Sequence, residues 1–131
     1  MRLLSASEVI LIHESVIHTH ELQGQAVAKS VEAVVARVLN RFEYQSVRDV
    51  FEVAACYAAF IAVAHAFNDA NKRTAFATMD TLLALNGIEL DYGSAEAAGQ
   101  QIIAIVLGTS DEQGLAEWLR LQYQLSTQNP H

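Results

Sequence analysis

Residues 65–73 read HAFNDANKR, which puts a histidine, a carboxylate, an amide and two adjacent cations into nine positions of an otherwise apolar chain. Asp69 sits where a helix should begin, and Asn71, Lys72 and Arg73 fill that helix's first turn. First turns ordinarily favour acids, because their exposed N–H groups carry positive partial charge; two cations there oppose the helix dipole and call for an anion to offset them. Amides, a lysine and an arginine at a helix N-terminus supply fixed dipoles, a point charge and bidentate donors together, which is the chemistry of a phosphate site. No Walker loop or dinucleotide fingerprint occurs in the chain, so this helix start has to replace them. Asp69 is placed either to cap the helix or to hold a magnesium ion that also touches phosphate oxygens. His65, at the end of the preceding helix, is the residue type suited to accept a hydroxyl proton near neutrality. Phe67 points inward as an anchor for the loop. From the residues alone the cluster reads as phosphoryl or nucleotidyl transfer to a hydroxyl. A plainer reading stands beside it: a core histidine followed by a capped, solvated helix start.

The elements that must position this cluster are helical. A chain of 131 residues, 52% hydrophobic with one Pro and six Gly, predicts one compact domain over 1–131 and argues against disorder. Abundant alanine and leucine with few turn residues make the expected fold class all-α. The net charge of -7 argues against direct nucleic-acid binding, which needs clustered cations. Five of the eight basic residues, Arg37, Arg41, Arg48, Lys72 and Arg73, nonetheless fall mid-chain, enough for a local anion site. The single cysteine, Cys56, has apolar neighbours and reads as a buried, inert thiol in a reducing compartment. The start lacks a signal-peptide pattern, and the apolar run Val53 to Phe67 is too short for a membrane span. The expectation is a cytoplasmic protein with no membrane partner.

Six helices follow from spacing and caps. Ser5-Ala6-Ser7-Glu8 has capping-box spacing and opens a helix from about Ala6 to His18. Val27, Val31, Val34, Val35, Val38 and Leu39 form a helical stripe with Lys29, Glu32 and Arg37 off it, and Arg37 and Arg41 share a face. Ser46 to His65 predicts a mostly buried third helix, and Asn71 to Leu85 a fourth stopped by Asn86-Gly87. Ile88 to Leu90 reads as a short extended stretch. Ser94 caps a fifth helix to about Leu107, and Ser110-Asp111-Glu112-Gln113 has capping-box spacing for a sixth through Leu115, Trp118, Leu119 and Gln122, with residues from about 126 to 131 frayed. Trp118 falls on the apolar stripe and reads as core. His13, His18 and His20 do not combine into a metal site: His18 and His20 on one helix point about 200° apart, and no cysteine or carboxylate completes a set.

The pattern H-x-F-x-D-A-N-K-R resembles the signature of the Fic/Doc superfamily, in the form of its Doc branch, the death-on-curing toxins of toxin-antitoxin pairs. "RVLNRFEY", "DVFEVAACY" and "NKRTAF" through "NGIEL" are similar to the stretches flanking it in Doc proteins, with the likeness weakest before residue 24 and after residue 92. The resemblance implies an all-helical, single-domain Fic fold with the motif loop between two core helices. In the family the residue matching His65 is the catalytic base, the one matching Asp69 serves the metal, and those matching Asn71 and Arg73 hold phosphates. AMP-transferring members typically carry glycines where this chain has Ala70 and Lys72. Doc-type members have the lysine, which in the family reading shifts the nucleotide so that the γ-phosphate of ATP is transferred. Ala66 replaces a proline of the AMP-transferring members, Val63-Ala64 stands where Doc relatives often have Arg-Gly, and "HTHELQGQAVAKS" departs from the usual glycine-rich stretch.

The resemblance thus implies a toxin acting as an ATP- and Mg2+-dependent Ser/Thr protein kinase on a translation factor of the elongation factor Tu class. It also implies a partner antitoxin of Phd type, a DNA-binding protein whose disordered tail folds into a groove on the toxin. No match to the inhibitory-helix motif of some Fic proteins is present. AMP transfer, and a non-catalytic module that binds the antitoxin and co-regulates transcription, are the alternative activities. Arg37 and Arg41 are either solvated or add positive potential beside the nucleotide.

Overall fold

The computed structural model describes residues 1–26, 30–44 and 49–128. Among these the chain forms α1 (Ala6–Val16), α2 (Val31–Tyr44), α3 (Val50–Ala64), α4 (Asn71–Leu85), α5 (Ala95–Val106) and α6 (Glu112–Gln128). The one β feature among them is an isolated antiparallel bridge between Gln25 and Phe67. The all-α architecture is therefore the one expected, with the motif loop joining α3 to α4.

α3 is the centre of the molecule and packs against α2, α4, α5 and α6. Every residue from Val53 to Ala62 is buried. Five of those ten are alanines, small enough for neighbouring helices to approach from all sides, while Tyr57 and Ile61 fill the remaining volume. Each large apolar side chain so buried contributes about 1.5–3 kcal/mol. The Tyr57 hydroxyl accepts from the Leu4 amide at 3.0 Å and donates to the Leu4 carbonyl at 2.7 Å, tying the segment before α1 to the core. Cys56 is buried, and desolvation pushes its thiol up to about 11, consistent with the inert role expected.

Local chemistry sets most helix ends. Ser5 and Glu8 make the expected capping box on α1. Asp49 Oδ1 accepts from the amides of Phe51 and Glu52 and starts α3 at Val50; the predicted start, Ser46, lies outside the described residues, as do Val27, Lys29 and Arg48. α4 has the predicted bounds and ends at Asn86, with Gly87 at φ +83°. Ser94 caps α5 through the Ala97 amide.

Four boundaries differ. α1 stops at Val16 rather than His18, because Ile17 turns to extended backbone and the chain leaves to cross the motif loop. Ile88 to Leu90 forms no strand; the Ile88 amide instead closes α4 on the Leu83 carbonyl. α6 is capped by Asp111, whose Oδ1 accepts from the Gly114 amide, and not by Ser110, whose own amide is spent closing α5 on the Ala104 carbonyl. α6 continues through Gln128, so residues 126–128 belong to its last turn, and residues 129–131 lie outside the described set.

Arg37 and Arg41 share a face as expected, but that face packs on α3. Their guanidinium carbons stand 4.3 and 5.7 Å from the Phe60 ring centroid, and Arg41 also pairs with Glu112 at 3.0 Å. Trp118 is half-buried against the core, its ring nearly parallel to that of Tyr92.

Candidate active site

The loop between α3 and α4 is bounded by two non-glycine residues in the left-handed region: His65 at φ 50°, which ends α3, and Ala70 at φ 64°, which precedes α4. Such a conformation costs an L-residue on the order of 1–2 kcal/mol, so the surroundings must hold it.

They do so from three sides. Phe67 is buried, and its ring lies flat on that of His13, centroids 3.8 Å apart and planes within 5°. His13 Nε2 donates to the Asp69 carbonyl at 2.9 Å, which assigns the proton to Nε2, since a carbonyl only accepts. The Asn71 amide group closes the loop on itself: its Oδ1 accepts from the Phe67 amide at 3.1 Å and its Nδ2 donates to the Phe67 carbonyl at 3.0 Å. The Thr74 hydroxyl donates to the Ala70 carbonyl at 2.8 Å, and Thr74 is fully buried.

Residues 17–26 cross the loop as a strap. The Ala26 amide donates to the Ala66 carbonyl, and the Asn68 amide to the Gly24 carbonyl. The Asn68 side chain donates to the Gln23 carbonyl at 2.9 Å, and Gln25 bridges Phe67. Asp69 Oδ2 accepts from the Leu22 amide at 3.0 Å.

Opposite this buried frame lies a cleft of about 440 Å³ lined by His65, Asp69, Asn71, Lys72, Arg73 and Glu21, among others. The structure thus brings the sequence-predicted polar residues together around one space, with Phe67 behind it. His65 is exposed, against the alternative of a core histidine; the buried histidine is His13. No side chain caps the first turn of α4, so the alternative in which Asp69 caps the helix is corrected: Ala70 holds the N-cap position, and Asp69 turns back to the strap. The left-handed Ala70 followed by helical Asn71 aims successive N–H groups into a shallow concavity of the kind that takes anions. Lys72 is exposed at its rim. Arg73 Nη1 donates to the Val16 carbonyl at 2.7 Å, and its Nη2 pairs with Glu21. The Arg73 guanidinium, with help from the His18 amide, holds the Glu21 carboxyl down at about 2.

Arg37 and Arg41 do not line this cleft, which removes the reading that they add potential beside a nucleotide. His18 and His20 lie beyond the end of α1, their rings 5.6 Å apart, and among the described residues no three His, Cys, Asp or Glu side chains group to hold a metal.

Two contributors escaped the sequence reading. His13 was legible in part, since it stands four residues after the fully buried Val9 on one face of α1. Glu21, joined to Arg73 across 52 positions, carried no periodic signal at all.

The sequence profile of the Fic/DOC family matches residues 3–83. The chain is also 36% identical over 124 residues to a protein of Escherichia phage P1 described as "Protein kinase doc", an alignment covering 94% of this chain and 97% of that protein. The likeness therefore extends across α1 and α5, well beyond the stretch around the motif. With the signature on one loop and the match running nearly end to end, the chain belongs to the Fic/DOC family, on its Doc branch.

Proposed function

We propose that this protein is a toxin of a toxin-antitoxin pair that works in the cytoplasm as an ATP-dependent Ser/Thr protein kinase, with a translation factor of the elongation factor Tu class as its target. The observation that carries the reading is the juxtaposition of an exposed histidine with the uncapped, cationic first turn of α4 in one cleft. The phage P1 relative is described as a protein kinase, which supports the same reaction class.

In this reading a target hydroxyl enters the cleft beside His65. The imidazole takes its proton, the freed oxygen forms a bond to the γ-phosphorus of ATP, and the bond to the β-γ bridging oxygen breaks to release ADP. Lys72 and Arg73 neutralise the phosphates, helped by the amides of the first turn. Asn71 is best read as a positioning residue, because both ends of its amide serve the Phe67 backbone and it reaches phosphate only by giving those bonds up. Phe67 holds the loop from behind.

Magnesium fits the donor set on one condition. Asp69 offers a single carboxylate on the wall of the cleft, with Oδ2 accepting from the Leu22 amide. Magnesium is commonly held by one or two carboxylates plus substrate phosphates and water, so Asp69 suffices if the nucleotide completes the shell. When bound, the ion would screen charge on the phosphate oxygens.

AMP transfer remains the second reading, favoured by one feature: Ala70 keeps the left-handed backbone that AMP-transferring relatives place on glycine, so the loop shape is preserved. The antitoxin partner of Phd type belongs to the proposal as well; a cleft of about 500 Å³ between α4 and α5, walled by Phe76, Ile102 and Ile103, is the groove best suited to a folding tail. The test is label transfer to proteins of a bacterial lysate from ATP labelled in either the γ- or the α-phosphate, with His65→Ala as control. Label from γ alone, lost in the variant, is the expected result. Label from α would mean AMP transfer, and silence from both would leave an antitoxin-binding module.

A further inference from the structure

His13 is a buried polar side chain for which the reaction above has no use. It is 2% exposed, lies on α1 outside the motif, and meets the loop twice: its ring is stacked on Phe67, and its Nε2 donates to the Asp69 carbonyl at 2.9 Å. Packing accounts for the first contact and not for the second. Any aromatic ring can lie flat on Phe67, but a flat ring with an N–H on its edge is offered only by histidine and the larger tryptophan. The residue type therefore points at the carbonyl.

That carbonyl fixes the direction of a neighbouring donor. A trans peptide unit is planar, so the C=O of one residue and the N–H of the next point in opposite directions, and every described peptide bond here is trans. With the Asp69 C=O drawn back into the core by His13, the Ala70 N–H is turned the other way, toward the cleft that Ala70 helps to line. The next unit is set in the same manner. The Ala70 carbonyl accepts from the Thr74 amide at 2.9 Å and from the buried Thr74 hydroxyl at 2.8 Å, which points it along α4 and turns the Asn71 N–H back toward the loop. Left-handed Ala70 and helical Asn71 thus bring two N–H groups side by side, the arrangement that holds an anion. Rotation of the first peptide plane would take one of them away.

We propose that His13 is a positioning residue for phosphate: by holding the Asp69–Ala70 peptide plane from behind, it aims the Ala70 N–H at a phosphate oxygen in the cleft. The inference rests on the reading above, in which the first turn of α4 receives the phosphates of ATP. It is distinct from the part His13 plays in stability, because a frame needs only the stacked ring, whereas the aim of the amide needs the Nε2 donor.

The experiment separates ring from donor in the full chain. His13→Phe keeps a ring for Phe67 and removes the donor; His13→Gln removes the ring and returns an N–H close to the place of Nε2. Melting temperatures confirm that each variant is folded. Amide proton–nitrogen spectra are recorded through a titration with ATP and magnesium, and transfer of γ-label is followed at saturating ATP. In wild type the Ala70 amide proton should move downfield as ATP binds, the signature of a new hydrogen bond from that N–H. In His13→Phe that movement should vanish and kcat should fall by about 10- to 100-fold, less than the roughly 100- to 1,000-fold that outright loss of an oxyanion donor costs. In His13→Gln the movement and most of the rate should return. A His13→Phe variant that keeps both would assign His13 to packing alone and overturn the proposal. So would an Ala70 amide left unmoved by bound ATP in wild type, an observation that needs neither variant to fold. In both cases continued γ-label transfer by wild type would leave the kinase reading intact. ATP that neither binds wild type nor yields label would overturn both.

Discussion

The nine residues of the motif loop fall into two regions that behave differently. Ala66, Phe67 and the Asn71 amide face inward and are bonded or packed on all sides, whereas His65, Lys72 and Arg73 are exposed along the cleft. The first group sets a backbone with two left-handed residues, and the second hangs chemistry on it. A motif of this kind couples a structural requirement to a catalytic one within a single short segment, so a substitution is read correctly only when its side of the loop is known.

The comparison is broken most severely from the buried side. Phe67→Ala removes a ring that is 3% exposed and stacked on His13, and we expect a loss of about 3–5 kcal/mol in a denaturant melt, with the loop unable to hold its shape. A loss under about 1 kcal/mol would mean that the frame does not depend on this contact. The exposed side should answer in the opposite manner. His65→Ala is expected to lower label transfer from ATP by about 100- to 10,000-fold while changing stability by less than about 0.5 kcal/mol.

His13→Ala tests whether the frame reaches beyond the motif. It deletes the stacking partner of Phe67 and the donor to the Asp69 carbonyl, and should cost about 2–3 kcal/mol although His13 lies outside the signature. Ala70→Gly should act with the other sign. Relief of about 1–2 kcal/mol of left-handed strain, less up to about 1 for the glycine's greater freedom when unfolded, leaves a gain of about 0.5–1 kcal/mol by thermal melt. No gain would mean that Ala70 is not strained as its φ implies.

The smallest effect expected is on acid stability. The Arg2 guanidinium, with the Ser5 cap, holds Glu8 at about 2, and Arg73 with the His18 amide holds Glu21 at about 2, both below the ordinary 4.5. A depressed carboxyl binds fewer protons folded than unfolded between those values. Its contribution is therefore full above about pH 4.5 and fades as the pH falls toward 2. Glu8→Gln and Glu21→Gln should each flatten this acid limb in a pH series of melts. They also distinguish a cap remote from the cleft from a contact inside it.

Much of this molecule was legible in one dimension. The Ser5–Glu8 box, the Ser94 cap, the Asn86-Gly87 stop and the bounds of α4 rest on contacts three or four residues apart, and short-range spacing encodes those directly. The motif, read by residue type, also brought its polar members to one cleft. The misreadings arose where an element's end answers to something distant. α1 stops early because its chain must turn across the loop, whereas at α6 the cap simply falls one residue later, on Asp111, while the Ser110 amide closes α5.

The sequence by itself determined an all-helical chain, its chemical cluster and its family, because periodicity, capping and a contiguous signature are local properties. Only the tertiary structure decided which histidine is buried and which is open, that Asn71 serves the backbone, and that Glu21 reaches Arg73. Those pairings join residues 52 to 56 positions apart, except for the short Asn71 clasp, and exist because α1 packs beside α4 and carries the strap across the loop. No pattern along the chain records such a distance. It is set by which faces the core brings together.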